Sequence, residues 1–142
     1  MEEPACGPSP MTLRRMLDTD TCSFLLRGDS EVVARLQVLP RSTICISAVS
    51  VGELRIGATL KGSKRLHAQI DRLVDTILVA PFDNVAACEL GQVGASLLRR
   101  GVDIGQYDAQ LAAHAISLGV ILVTHNERHF SRVRELRLED WR

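Results

Sequence analysis

A chain of 142 residues with 17 basic and 17 acidic side chains, zero formal charge and 46% hydrophobic residues fits one compact domain with a real core. These bounds exclude a largely disordered chain, and any nucleic-acid binding has to come from local patches and not from an overall basic field. No apolar run nears the roughly 18 to 20 residues of a membrane-spanning helix. The first ten residues hold three of the five prolines with Glu2 and Glu3, and they lack the basic and apolar stretches of a secretory signal.

Residues 1–10 therefore read as a flexible N-terminal extension, with Met11 or Met16 as alternative starts, and residues 11–142 as a single domain. A first short strand is expected at 14–17, with Asp18 and Asp20 directly behind it. Residues 22–27 and 30–39 follow as short helices, the second with Ser30 as a cap. The β-branched run 43–47 is a buried strand, 48–60 and 63–75 are helices, and 76–79 is a third strand ended by Pro81. A long helix over 84–100 stops at Gly101, another over 107–118 stops at Gly119, and 120–124 is the fourth clear strand. Strands separated by helices predict an α/β domain built on a parallel sheet with right-handed crossovers.

The acids recur at suggestive places on that scaffold. Asp18 sits at the tip of the first strand, Glu53 in the first turns of the helix after the second, and Asp108 near the start of the helix leading into the fourth. Asn126 and Glu127 lie just past that fourth strand. The carboxyl ends of parallel strands are where such sheets bind ligands, so these residues can converge on one edge. Clustered carboxylates repel one another, and a hard divalent cation held by oxygens is the simplest way to offset that repulsion. Each acid also has a structural alternative: Ser50-x-x-Glu53 matches a capping box, Asp20 can cap the following helix, and Asp108 can simply favour a helix N-terminus.

The remaining polar residues say less. Cys6, Cys22, Cys45 and Cys88 show no metal or redox spacing and read as a reduced, cytoplasmic set. His125 and His129 are expected at the surface, His114 packed in its Ala-rich helix, and Trp141 as a packing anchor. Basic residues are lopsided, with fifteen Arg to two Lys, several crowded behind Asn126; they suit phosphate oxygens or simply form a solvated face.

Four motifs in series then carry a resemblance: Leu17-Asp-Thr-Asp20, Ile46-Ser-Ala-Val-Ser-Val-Gly-Glu-Leu-Arg-Ile-Gly57, Ile104-Gly-Gln-Tyr-Asp-Ala-Gln-Leu-Ala-Ala-His-Ala115 and Leu122-Val-Thr-His-Asn-Glu-Arg-His-Phe130. In this order and spacing the chain resembles PIN-domain ribonucleases, and among them the VapC-type toxins of bacterial toxin–antitoxin pairs. The resemblance implies a three-layer α/β/α sandwich with a four- or five-stranded, mainly parallel sheet, and a Mg²⁺- or Mn²⁺-dependent endonuclease acting on RNA. It maps the metal-binding acids onto Asp18, Glu53 and Asp108, the fourth catalytic position onto Asn126, and further pocket positions onto Asp20, Ser47, Thr124 and Glu127. By the same resemblance Arg99, Arg100, Arg128 and Arg132 would hold substrate phosphates, a VapB-type antitoxin would neutralise the chain, and the toxin would form a homodimer. Two departures stand out: Asp20 replaces the usual Asn of the first motif, and Asn126 is an amide where an acid is common.

Two other classes compete. Asp18-Thr-Asp20 after a strand also fits a haloacid-dehalogenase-like phosphotransferase, with nucleophile and acid–base two residues apart. The amide at Asn126 would also suit a catalytically inactive module that keeps the fold only to bind a partner.

Overall fold

The computed structural model describes residues 12–142, so the expected N-terminal extension lies outside the described residues. Five short strands, β1 (Arg15–Leu17), β2 (Ile44–Ser47), β3 (Leu78–Ala80), β4 (Ile121–Val123) and β5 (Leu138–Glu139), form one sheet in the order β3-β2-β1-β4-β5. Every pairing is parallel, with Met16 between Cys45 and Leu122, and Leu17 between Ile46 and Val123.

Because successive strand residues point to opposite faces, the central strands feed two separate cores. Leu17, Ile44, Ile46 and Val123 face a layer built from α1 (Thr19–Leu26), α2 (Ser30–Gln37), α3 (Ala48–Lys61) and α4 (Lys64–Thr76). Met16, Cys45 and Leu122 face α5 (Asn84–Arg99) and α6 (Gln106–Leu118), with Phe130 of the short α7 (Glu127–Phe130) beside them. A sheet covered on both sides needs continuous apolar strands, as Ile44-Cys45-Ile46 supplies. The result is the expected α/β/α sandwich.

Several boundaries differ from the sequence expectation, each for a local reason. The first helix begins at Thr19 and not at residue 22, because Asp18 caps it: its side chain accepts the Thr21 amide. The cap of α2 is Asp29 and not Ser30, since Asp29 Oδ1 accepts from the amides of Glu31 and Val32. Helix α4 runs through Thr76, which pushes β3 to Leu78–Ala80. Helix α7 and strand β5, with four and two residues, have too few turns or alternations to show a period in the sequence.

Two glycines set the course of α6. Gly105 (φ 88) precedes it in a conformation that strains any side chain, and Gly119 (φ 68) ends it in the left-handed region, turning the chain into β4. Reading outward from β1, the strand order runs to β2 and β3 on one side and to β4 and β5 on the other, so a crevice opens at the carboxyl ends of β1 and β4. Asp18 follows β1 directly, and its amide donates to Val123 O of β4 at 2.9 Å.

Candidate active site

Asp18 is 3% exposed. Oδ1 accepts from the Thr21 amide at 2.7 Å and the Thr124 hydroxyl also bonds the carboxyl, while the Thr21 hydroxyl donates to the Val123 carbonyl at 3.2 Å. Burial nonetheless pushes the carboxyl above the ordinary aspartate range, and the neighbouring charge of Asp20 adds to the effect. Asp18 is thus both a helix cap and a strained charge. Asp20, exposed in the first turn of α1, does not cap the helix.

Glu53 lies in the second turn of α3. The Thr19 hydroxyl donates to Glu53 Oε1 at 2.7 Å and stands 3.0 Å from the buried Ser50 hydroxyl. The capping-box alternative fails, because the cap of α3 is Ser47, whose side chain accepts the Val49 amide, and Ser50 lies inside the helix. Burial raises the Glu53 carboxyl above its ordinary value, and repulsion from Asp108, Asp20 and Asp18 raises it further. Asp108, in the first turn of α6, is raised mainly by burial, partly countered by His129. His129 Nε2 lies 2.9 Å from Asp108 Oδ2.

Asp18, Asp20, Glu53 and Asp108 therefore share one neighbourhood. Among the described residues no Lys or Arg forms an ion pair with any of them, and the one basic side chain bonded to the set is His129, through Asp108. Their oxygens match a hard cation in donor type. In spacing, no three Asp, Glu, His or Cys side chains among the described residues close into a finished cation site. Each acid is instead tied to its own neighbour: Asp18 to Thr21 and Thr124, Glu53 to Thr19, Asp108 to His129.

The other anticipated positions divide. Thr124 is fully buried at the end of β4 and joins Asp18 to the loop beyond, since its hydroxyl also accepts the Asn126 amide at 3.0 Å. Asn126, Arg128, His129 and Arg132 line an open cleft of about 480 Å³. Ser47 is fully buried, with its hydroxyl 2.9 Å from His114 Nδ1 and accepting the Val49 amide at 3.0 Å. His114 is packed as expected, against Phe82 and Ser47, and burial holds it below the ordinary histidine range. Glu127 is exposed on α7. Arg99 and Arg100 line a different cleft with Arg134 and Glu135.

Sequence reasoning missed two residues here. His129, expected at the surface, is partly buried on Asp108, and its only sequence signal is its place three residues after Asn126. Thr19 had no signal beyond standing between two acids.

The Glu53 environment carries a prediction. Glu53→Gln keeps an oxygen for Thr19 and removes the charge. The folded carboxyl holds its proton to higher pH than the unfolded one, so below 4.5, the ordinary value, the charge costs nothing. The cost grows as pH rises from there through the folded value. The variant should melt with the wild type in acid and above it near neutral pH; equal melting curves at neutral pH would show that Glu53 is not under charge strain.

Comparison with known proteins agrees with this arrangement. Residues 15–136 match the family model described as PIN domain. The chain is 37% identical over 130 residues to tRNA(fMet)-specific endonuclease VapC of Salmonella typhimurium, and 40% identical over 130 residues to the protein of the same name from Shigella flexneri. Each alignment covers 91% of this chain and 98% of the relative. Among solved structures, a chain of DNA-bound VapBC from Salmonella typhimurium superposes with a TM-score of 0.86 at 36% identity, covering 92% of this chain and 99% of that one. With its parallel five-stranded sheet and its acids at the switch point between β1 and β4, the chain belongs to the PIN domain family.

Proposed function

We propose that this chain is a Mg²⁺- or Mn²⁺-dependent endoribonuclease and the toxin of a toxin–antitoxin pair. The observation that carries this reading is the Glu53 carboxyl, repelled by Asp108, Asp20 and Asp18 at once, with no Arg or Lys among the described residues ion-paired to any of the four. These three would hold the cation. When bound, it supplies positive charge that eases deprotonation of an attacking water and stabilises the leaving oxygen of a phosphodiester.

The chain's own residues orient the acids and receive the substrate. Thr21 and Thr124 fix Asp18, Thr19 fixes Glu53, and His129 holds Asp108. Asn126 and Arg128 line the cleft beside them, where the guanidinium and amide suit phosphate oxygens. The names of the two relatives make a tRNA the first substrate to try, and the neighbouring VapBC complex supports a VapB-type antitoxin as partner. A homodimer working in the cytoplasm completes the reading. No helix among the described residues is long and apolar enough to cross a membrane. Cys22, Cys45 and Cys88 are free, and burial pushes the Cys45 thiol up to about 12.

The phosphotransferase alternative is disfavoured by Asp18 itself. A nucleophilic carboxylate must be open to in-line approach, whereas Asp18 is buried and bonded to two threonines. The test is cleavage of RNA by the full chain with Mg²⁺ or Mn²⁺ and with a chelator. Cutting that requires the ion supports the proposal, and cutting that persists in chelator overturns its metal dependence. Phosphate released from small esters would favour the phosphotransferase, and no reaction at all the binding module.

A further inference from the structure

Three side chains beside the crevice form a chain of hydrogen bonds whose proton positions follow from donor chemistry alone. Arg132 Nη2 lies 2.8 Å from His129 Nδ1, and Arg132 Nε donates to the His129 carbonyl at 3.2 Å. A guanidinium has donors only, so Nδ1 must accept and carries no proton. On the other side of the ring, Nε2 lies 3.1 Å from the Ile104 carbonyl and 2.9 Å from Asp108 Oδ2. A carbonyl only accepts, so Nε2 must donate. Both ends of the ring thus demand the same Nε2–H tautomer. Arg132 is itself fixed from behind, since Arg100 Nη2 donates to its carbonyl at 2.7 Å. The T-shaped contact of His129 with buried Phe130 (5.3 Å between ring centroids) steadies the ring further.

We propose that Arg132 and His129 form a positioning relay: Arg132 locks His129 as its Nε2–H tautomer, and His129 in turn aims the Asp108 carboxylate into the crevice. This inference rests on the proposed function, because it gives Asp108 a cation to be aimed at. It also gives Arg132 a task other than phosphate contact. Asp108 sits in the first turn of α6, where no helix-cap bond of its own holds the side chain; without His129 the carboxylate keeps its charge and loses its direction. Groups that orient a metal-binding side chain typically change metal affinity by 10- to 100-fold when removed.

The experiment has two arms on the full chain. Nitrogen-15 NMR of the imidazoles in the metal-free protein should show His129 as the Nε2–H tautomer in the wild type and a mixture in Arg132→Met, with the His114 signals unmoved as an internal control of folding. Calorimetric titration with Mn²⁺ should then give His129→Gln, whose amide nitrogen can still donate to Asp108, an affinity close to wild type. His129→Phe should bind roughly 10- to 100-fold more weakly, with thermal melting showing that each variant is folded. A wild-type His129 protonated at Nδ1, or a folded His129→Phe protein that binds Mn²⁺ as tightly as wild type, overturns the relay alone. A wild type that takes up no Mn²⁺ overturns the proposed function beneath it and the relay with it.

Discussion

Asp18→Asn and Asp108→Asn are each expected to lower RNA cleavage by on the order of a hundred- to a thousandfold, the scale at which one preorganised group contributes to a transition state, with no loss of thermal stability. Both replacements are isosteric and remove a charge that burial already disfavours. Asn at position 18 keeps an oxygen for the Thr21 amide, so the cap of α1 survives. Asp18→Ala is the contrasting variant: it loses activity and also the cap, which is worth about 0.5–2 kcal/mol. Cleavage rates and melting temperatures measured on the same preparations separate the two roles. A folded Asp18→Asn protein that cuts RNA at the wild-type rate would remove Asp18 from the reaction.

Trp141→Ala should cost about 3–5 kcal/mol of folding free energy, the range for emptying a buried aromatic site. That is a large share of the roughly 5–15 kcal/mol that holds a domain of this kind together. Trp141 is 4% exposed and packs among Leu17, Val123 and the α1–α4 layer. Its indole N–H donates to Glu139 Oε1 at 2.8 Å, and Arg15 and Arg35 bond the same carboxylate at 3.2 and 2.7 Å. This knot secures β5, a strand of only two residues. Trp141→Phe, which keeps a ring and loses one hydrogen bond, should cost much less. Urea unfolding of both variants decides the matter, and a loss below about 1 kcal/mol for the alanine would mean that the C-terminus is not an anchor.

The knot and the crevice respond to pH in opposite senses. Burial works against the Glu139 charge, yet bonds from Arg15 and Trp141 and the charges of Arg15 and Arg35 outweigh it and hold the carboxyl below the ordinary range. A lowered carboxyl stabilises the fold above its unfolded value, and that contribution disappears as pH falls through the folded value. The raised carboxyls of Asp18, Glu53 and Asp108 do the reverse, costing stability as pH rises. The link between them is mechanical: the Thr124 amide donates to the Glu139 carbonyl, and the Thr124 hydroxyl bonds Asp18. The C-terminal strand thereby supports the residue that fixes the central acid.

How far the molecule was legible in its sequence depends on how local each feature is. The four main strands, the long helices and the positions of Asp18, Glu53 and Asp108 could be read because they rest on short apolar runs, helix stops such as Gly101 and Gly119, and acids placed next to them in the chain. Two-sided burial of a parallel sheet forces such runs, and the carboxyl ends of its strands follow at once. What each acid touches was beyond that reach. Thr124 on Asp18, His129 on Asp108 and Ser47 on His114 are pairings between residues far apart in the chain, and β5 has no periodicity of its own. Hydrogen-bond partners of that kind are chosen by how the crossovers pack, which only the assembled tertiary structure decides.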